Sequence, residues 1–525
     1  MDRQMARTDL TEGPITKRLV MFALPILAGN IVQQLYNVAD SIIVARFVGP
    51  TAMASVVVGG PVMMLFSALF MGLSMGGNIL IAQYRGARQF EQLERAVNTV
   101  LALSIIFGAC FTTMGILFSR SLLVALGTPS DILDQAASYL RIVFYGSIGM
   151  IMYNFANGMT RGFGDSKTPL FVLIFSCCLN ISLDLVFVAS FGWGVEGAAI
   201  ATAIANLVSG LFLLIRFAGG RYGVHLSLDR MRRIDWNIVK LMLKLGIPSS
   251  IQSTIMSFTN LFMQTFSNTF GSQFIAANGI VMQVDGFAMM PMMGMSMAVT
   301  TFVGQNIGAG NVDRSRKGIY KGLQISISIA VVMGFLIYNF GTNLIHAYTS
   351  DPVVVDIGTN AMKFIAFFLG FMGINQCVSG AMRGAGAATV PAILSVITSV
   401  IRIPVAYMLA MVPYNRAVEA SVASGLYQTI ELAKAAGVGR DQYMGMIYSM
   451  GITMTLGAVM VLIYFIFGKW HTKGVTGRSQ GVPADGPPVE RSEIGLGGAS
   501  GGDSEKSPPD SERGDDSVED VPDAV

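Results

Sequence analysis

Met71-Gly72-Leu73-Ser74-Met75-Gly76 recurs in the second half of the chain as Met293-Gly294-Met295-Ser296-Met297-Ala298. The same offset carries Gln83 and Gly86-Ala87 onto Gln305 and Gly308-Ala309. It also carries Arg161-Gly162-Phe163-Gly164 onto Arg383-Gly384-Ala385-Gly386, and Pro169 onto Pro391. Pro25 recurs one position out of phase, as Pro248. One spacing kept across most of each half marks the chain as two copies of a single unit.

Composition says where those copies live. Of 525 residues, 52% are hydrophobic and 13% charged. Soluble domains carry about 25% charged residues, so most of this surface faces lipid. A span needs about 20 apolar residues. Apolar runs between polar breaks predict twelve helices. Six lie near 16–46, 51–83, 96–118, 134–158, 169–190 and 195–217. Six more lie near 238–269, 273–304, 317–346, 357–381, 391–412 and 446–468. The first two of each half exceed the hydrocarbon thickness and are expected to tilt or project.

Six is an even number, so both copies insert with the same orientation, as a parallel repeat about an axis along the membrane normal. The expected fold is an all-α membrane protein, its twelve transmembrane helices in two six-helix lobes related by pseudo-two-fold symmetry. The N-terminal lobe covers 1–217, a cytoplasmic linker 218–237 and the C-terminal lobe 238–471. An acidic, Gly/Pro/Ser-rich tail, 472–525, is expected to be disordered. Two equivalent bundles with a cleft between them are the geometry of alternating access.

Orientation follows from loop charge. If both termini are cytoplasmic, that side gathers Lys17-Arg18, Arg85, Arg88, Arg230, Arg232-Arg233, Arg314, Arg316-Lys317 and Lys469. The opposite loops hold only Arg46, Arg120, Arg416, Lys434 and Arg440. Trp193, Trp236 and Trp470 fall near helix ends, as interfacial tryptophans do. The first apolar run, from near Leu19, lacks the short core and cleavage site of a signal peptide. The reading is a multi-pass protein of the plasma (inner) membrane, in contact with lipid. The segment 413–443 reads as a long outer loop with an amphipathic helix around 420–435.

Several chemistries are disfavoured. Cys110, Cys177, Cys178 and Cys377 lie in apolar runs, and His225, His346 and His471 are scattered, so no zinc cluster or catalytic triad is expected. Gly72-Leu73-Ser74-Met75-Gly76 matches the G-x-S-x-G hydrolase elbow. It sits inside an apolar helix, where small residues serve close packing instead. Walker A, H-E-x-x-H and G-x-G-x-x-G motifs are lacking. The expectation is no enzyme, no organic cofactor and no nucleic-acid partner.

Charges at bilayer depth cost at least about 2.5–3.5 kcal/mol each, so every one needs a reason. Asn30, Gln33, Asn37 and Asp40 are spaced three, four and three apart on one face of the first helix, with Tyr36 close by. They form either an interhelical seam or a working site, and a seam needs no ionisable group. Asp184 follows Asn180 by one turn, an oxygen pair suited to a hard cation or a proton, to which Thr202 could add a hydroxyl. At the repeat offset Asp40, Asn180 and Asp184 become Phe262, Arg402 and Ala406, so the acidic cluster belongs to the first copy alone. Asp285 stands opposite Met63 in the repeat and could bind substrate, couple protons or pair with a second-half cation. Asn154 and Asn157 either line a first-half cavity or pack.

The run from Leu24-Pro25 through Gln33-Gln34-Leu35-Tyr36-Asn37-Val38-Ala39-Asp40 to Gly49 resembles the first helix of the multidrug and toxic compound extrusion (MATE) family. Gln83-Tyr84-Arg85-Gly86-Ala87, the doubled Arg-Gly-x-Gly turns and Val303-Gly304-Gln305-Asn306-Ile307-Gly308-Ala309 resemble it too, and the likeness spans residues 10–475. The resemblance implies two lobes around a V-shaped cavity, and export of small organic, often cationic compounds in exchange for Na⁺ or H⁺. It implies a monomer. Asp40, Asn180, Asp184 and Thr202 match the cation-coupling cluster of the DinF-like branch, where Na⁺, if used, would bind. Gln33, Tyr36, Asn154 and Asn157 sit where that branch lines its drug cavity, and Asp285 is carried as a further substrate-binding candidate. The NorM-like branch uses second-lobe acids, whereas the seventh helix here has none and the tenth offers Asn375-Gln376. A related architecture, the flippase of lipid-linked precursors, is the alternative; it calls for a larger, more basic cavity.

Overall fold

A computed structural model describes residues 9–476 apart from Gly49, Leu126 and Pro129, so residues 477–525 of the expected tail lie outside the described residues. Each predicted span is a helix. The first lobe holds α1 (Ile15–Val48), α2 (Pro50–Gly86), α3 (Phe90–Ala125), α4 (Ser130–Gly162), α5 (Lys167–Asp184) and α6 (Gly194–Ala218). The second holds α7 (Trp236–Thr269), α8 (Ser272–Gly308), α9 (Val312–His346), α10 (Pro352–Gly384), α11 (Thr389–Ala406) and α12 (Met444–Phe467). Among the described residues, ten of the twelve are long and apolar enough to cross a membrane. The two that do not, α4 and α7, carry Asn154 and Asn157, and Gln252, Asn260 and Gln264.

The repeat is written into backbone geometry. After Asp184 the helix widens into a π-helical run, Leu185–Ser190; after Ala406 it does the same over Tyr407–Met411. Leu185 and Tyr407, where the two runs begin, are equivalent positions of the two copies. Ser74 Oγ donates to the Asn154 carbonyl at 2.6 Å, and its copy Ser296 Oγ donates to the Gln376 carbonyl at 2.7 Å. Gly164 and Gly386, also copies, take φ of 77° and 91° in the turns after α4 and α10, a region open to glycine.

The lobes meet along crossing helices. A Cβ on Gly72 would stand 2.3 Å from Ser250 N of α7, and one on Gly76 would stand 2.4 Å from the Met242 carbonyl oxygen. The glycines of the G-x-S-x-G pattern thus let α2 and α7 touch backbone to backbone, and its serine is engaged in packing. The cross-lobe bonds Asn30–Met290, Ser250–Leu69 and Thr301–Asn78 lie in the half of the molecule nearer the described termini. There the ends of α2 and α8 cross, with Gly86 against the Gln305 carbonyl and Gly308 against the Gln83 carbonyl.

The basic loops gather at that same end. Arg88 pairs with Glu12 at 3.5 Å, Arg314 donates to the Gly13 carbonyl at 2.8 Å, and Arg230 pairs with Glu94. Tyr222 of the linker donates to Asp165 at 3.1 Å; burial and that carboxylate push its hydroxyl up to about 12. Residues just past α12 also pack here, since Val475 N donates to Gln83 Oε1 at 2.6 Å.

The segment 413–443 differs from a single amphipathic helix over 420–435. Val412–Ala423 continues the α11 span, and Gly425, at φ 76°, ends it; a separate short helix, Ile430–Ala435, follows. Thr429 caps that helix, its hydroxyl accepting from Leu432 N at 3.2 Å.

Candidate cation-coupling site

The first lobe converges its polar residues on one spot. Helical spacing aligns Gln33, Tyr36 and Asp40 along α1, and α5 presents Asn180 and Asp184 to it. The Asp40 and Asp184 carboxyls face each other closely enough to interact directly. Two carboxylates this close repel, so a single proton or cation between them is favoured. Tyr36 is hydrogen-bonded to Thr202 of α6, and Asn180 Nδ2 donates to the Thr202 hydroxyl at 3.2 Å. Thr202 is therefore the hub of the neutral half of the cluster. Asn180 and Asp184 are buried, at 1% and 0% exposure, while Asp40 and Tyr36 are half-buried.

The donor set is two carboxyls, an amide oxygen and a hydroxyl. Such hard oxygens suit Na⁺ or a proton. Asp40 Oδ1 is buried with no hydrogen-bond partner among the described residues, an acceptor held in reserve. No group of three or more His, Cys, Asp or Glu that could hold a metal occurs among the described residues.

The other candidates sort by position. Gln33 Nε2 donates to Asn37 Oδ1 at 3.4 Å on the exposed face of α1, one to two turns from the cluster. On α4, Asn154 turns its amide back to the Met150 carbonyl at 2.9 Å. Asn157 Oδ1 is buried and has no partner among the described residues. Asp285 does not join them: it lies in the second lobe, facing Arg402. Tyr139 of α4, which the sequence reading passed over, lies close enough to Asp40 to feel its charge. It precedes Asn157 by a whole number of helical turns, so the two share a face of α4; that spacing was the available signal.

A family model described as MatE matches residues 25–186 and again 248–408. The chain belongs to the MatE family. One match falls on each copy, so the family unit is the repeat itself. The MatE relatives include the probable multidrug resistance protein YoeA of Bacillus subtilis (strain 168), 29% identical over 75% of this chain and 87% of that protein. They also include the probable multidrug resistance protein NorM of Thermotoga maritima, 28% identical over 89% of this chain and 95% of that protein. A solved structure described as the outward-facing conformation of a multidrug resistance MATE family transporter of the MOP superfamily matches with a TM-score of 0.75 at 26% identity. It covers 88% of this chain and 96% of that one.

Proposed function

We propose that this MatE-family chain is a secondary multidrug exporter of the DinF-like kind, exchanging organic, often cationic compounds for H⁺ or Na⁺ at the Asp40–Asp184 pair. The observation that carries the reading is that pair: two carboxyls facing each other inside one lobe, with no counterpart in the other.

With the lobes open to the cytoplasm, an amphipathic cation pairs with an ionised Asp40, flanked by Tyr36 and Gln33. Rocking of the lobes carries it across. A coupling cation arriving from outside neutralises the carboxyl pair and displaces the substrate. A proton does so by bridging Asp40 to Asp184; Na⁺ does so with the Asn180 and Thr202 oxygens as further ligands. Exchange couples because each ligand favours a different lobe arrangement. Loop charge supports a plasma-membrane protein with cytoplasmic termini. A lipid-linked-precursor flippase is not favoured, because a phosphate cavity would want a basic first lobe.

The test is ethidium efflux from inside-out or reconstituted vesicles under separately imposed Na⁺ and pH gradients. Asp184→Asn should insert normally and lose gradient-driven efflux. Efflux at the unaltered rate would falsify the coupling assignment.

A further inference from the structure

The second lobe holds a cavity of about 50 Å³ between α7, α8, α10, α11 and α12, its mainly apolar wall broken by a few polar side chains. Of these, α7 and α11 are the copies of α1 and α5, the helices that carry the first-lobe cluster. Arg402 stands at the repeat position of Asn180. Asp285 lines the cavity beside it, with Asn260, Gln264 and Asn278 on the wall. The two charges attract each other. Asp285 Oδ1 and Arg402 Nε are both buried with no hydrogen-bond partner among the described residues.

Size excludes an organic ligand. Pockets for such molecules run to roughly 300–1,000 Å³, whereas a water needs only about 10–15 Å³ of such space. The cavity has room for a few waters or an ion, and a cation on a tether already lines it.

We propose that Arg402 is a built-in counter-cation: its guanidinium fills the second-lobe equivalent of the coupling site, with Asp285 as its carboxylate, so that only the first lobe takes up a mobile cation. The proposal rests on the coupling reading above. A duplicated bundle starts with two equivalent cavities. Here one copy keeps an amide and a carboxyl pair and waits for a cation, while the other supplies its own charge and is permanently loaded. Without Arg402, Asp285 and the amide oxygens of Asn260, Gln264 and Asn278 would form a hard-oxygen set like that of the first lobe.

The test uses the full chain in proteoliposomes with ethidium as the transported probe, and measures initial efflux against Na⁺ concentration at fixed pH and against pH at fixed Na⁺. One mobile site gives a Hill slope of about 1, and Arg402→Gln should raise it towards about 2 by opening a second. Arg402→Lys keeps a tethered cation and should keep the single-site slope. Adding Asp285→Asn to Arg402→Gln removes the new carboxylate site and should restore it. An ion pair serving only to hold helices together would change stability and rate and leave the slope alone. A cation-driven wild type whose Arg402→Gln form transports with the wild-type slope overturns this proposal by itself. If Arg402→Gln is inactive, the double variant must recover cation-driven efflux, and failure to do so also overturns it. A wild type indifferent to both gradients removes the coupling reading, and this proposal with it.

Discussion

Gln83 and Gln305 are the same residue of the two copies, and each bonds across the lobe boundary to the other copy. Gln83 Nε2 donates to the Gly384 carbonyl and Gln305 Nε2 to the Gly162 carbonyl, both at 2.9 Å. Each side-chain oxygen is also used: Gln83 accepts from Val475 N at 2.6 Å and Gln305 from Leu10 N at 2.9 Å. The segments before α1 and after α12 are thereby tied into one two-fold seal.

Replacing either glutamine by leucine strands a buried carbonyl at the end of α10 or α4. Leaving one such group unsatisfied costs about 1–3 kcal/mol. That cost falls only on the closed seal, so Gln83→Leu and Gln305→Leu should each shift the population towards lobes parted at this end. Spin-label distances between the α2–α3 and α8–α9 turns would report it as a longer, broader distribution. Unaltered distances in both variants would mean that the seal does not depend on these bonds.

The neighbouring glycines allow no compromise. A Cβ on Gly86 would sit 1.8 Å from the Gln305 carbonyl oxygen, and one on Gly308 would sit 2.0 Å from that of Gln83. Backbone on both sides cannot yield cheaply. Gly86→Ala and Gly308→Ala should therefore insert but fail to close, abolishing ethidium efflux. Gly279→Ala, on the same α8 with nothing within 4 Å, should be tolerated, with a stability change within about 0.5 kcal/mol. Loss of efflux in that control as well would point to helix propensity rather than steric closure.

The seal was half legible in the sequence. The repeat offset named Gln83 and Gln305, and Gly86 and Gly308, as equivalent pairs, and hydropathy placed all twelve helices. That the equivalent residues reach across to each other is a tertiary fact that no local spacing encodes. The π-helical runs were hidden for the same reason, because a shift of hydrogen bonding after Asp184 and Ala406 depends on what those helices pack against. At the site, three- and four-residue spacings aligned Tyr36 with Asp40 and Asn180 with Asp184. Their convergence across α1, α5 and α6 rested on family resemblance. Asp285 stayed ambiguous because its partner, Arg402, lies far along the chain, on another helix.

Tyr139 tests whether the missed residue matters. It lies within electrostatic reach of Asp40, and Tyr139→Phe removes its hydroxyl dipole while keeping the ring. Losing a dipole within reach of the carboxyl should change the cation concentration giving half-maximal efflux by about two- to ten-fold, roughly 0.4–1.4 kcal/mol. The maximal rate with saturating cation should be retained. A half-maximal concentration equal to that of the wild type would mark Tyr139 as a packing residue.

Thr202 is the sharper case, because its hydroxyl is engaged by both Asn180 and Tyr36. Thr202→Val preserves the shape of the side chain and deletes the oxygen that orients the two. Loss of such an orienting partner typically weakens cation binding by about 10–100-fold. The same variant should raise the half-maximal cation concentration by about that factor, and Tyr36→Phe, which leaves the Asn180–Thr202 bond intact, should raise it less. The order of the two effects carries the argument. If Tyr36→Phe raises the half-maximal cation concentration more, Tyr36 is itself a cation ligand, and the hub of the cluster lies on α1 rather than α6.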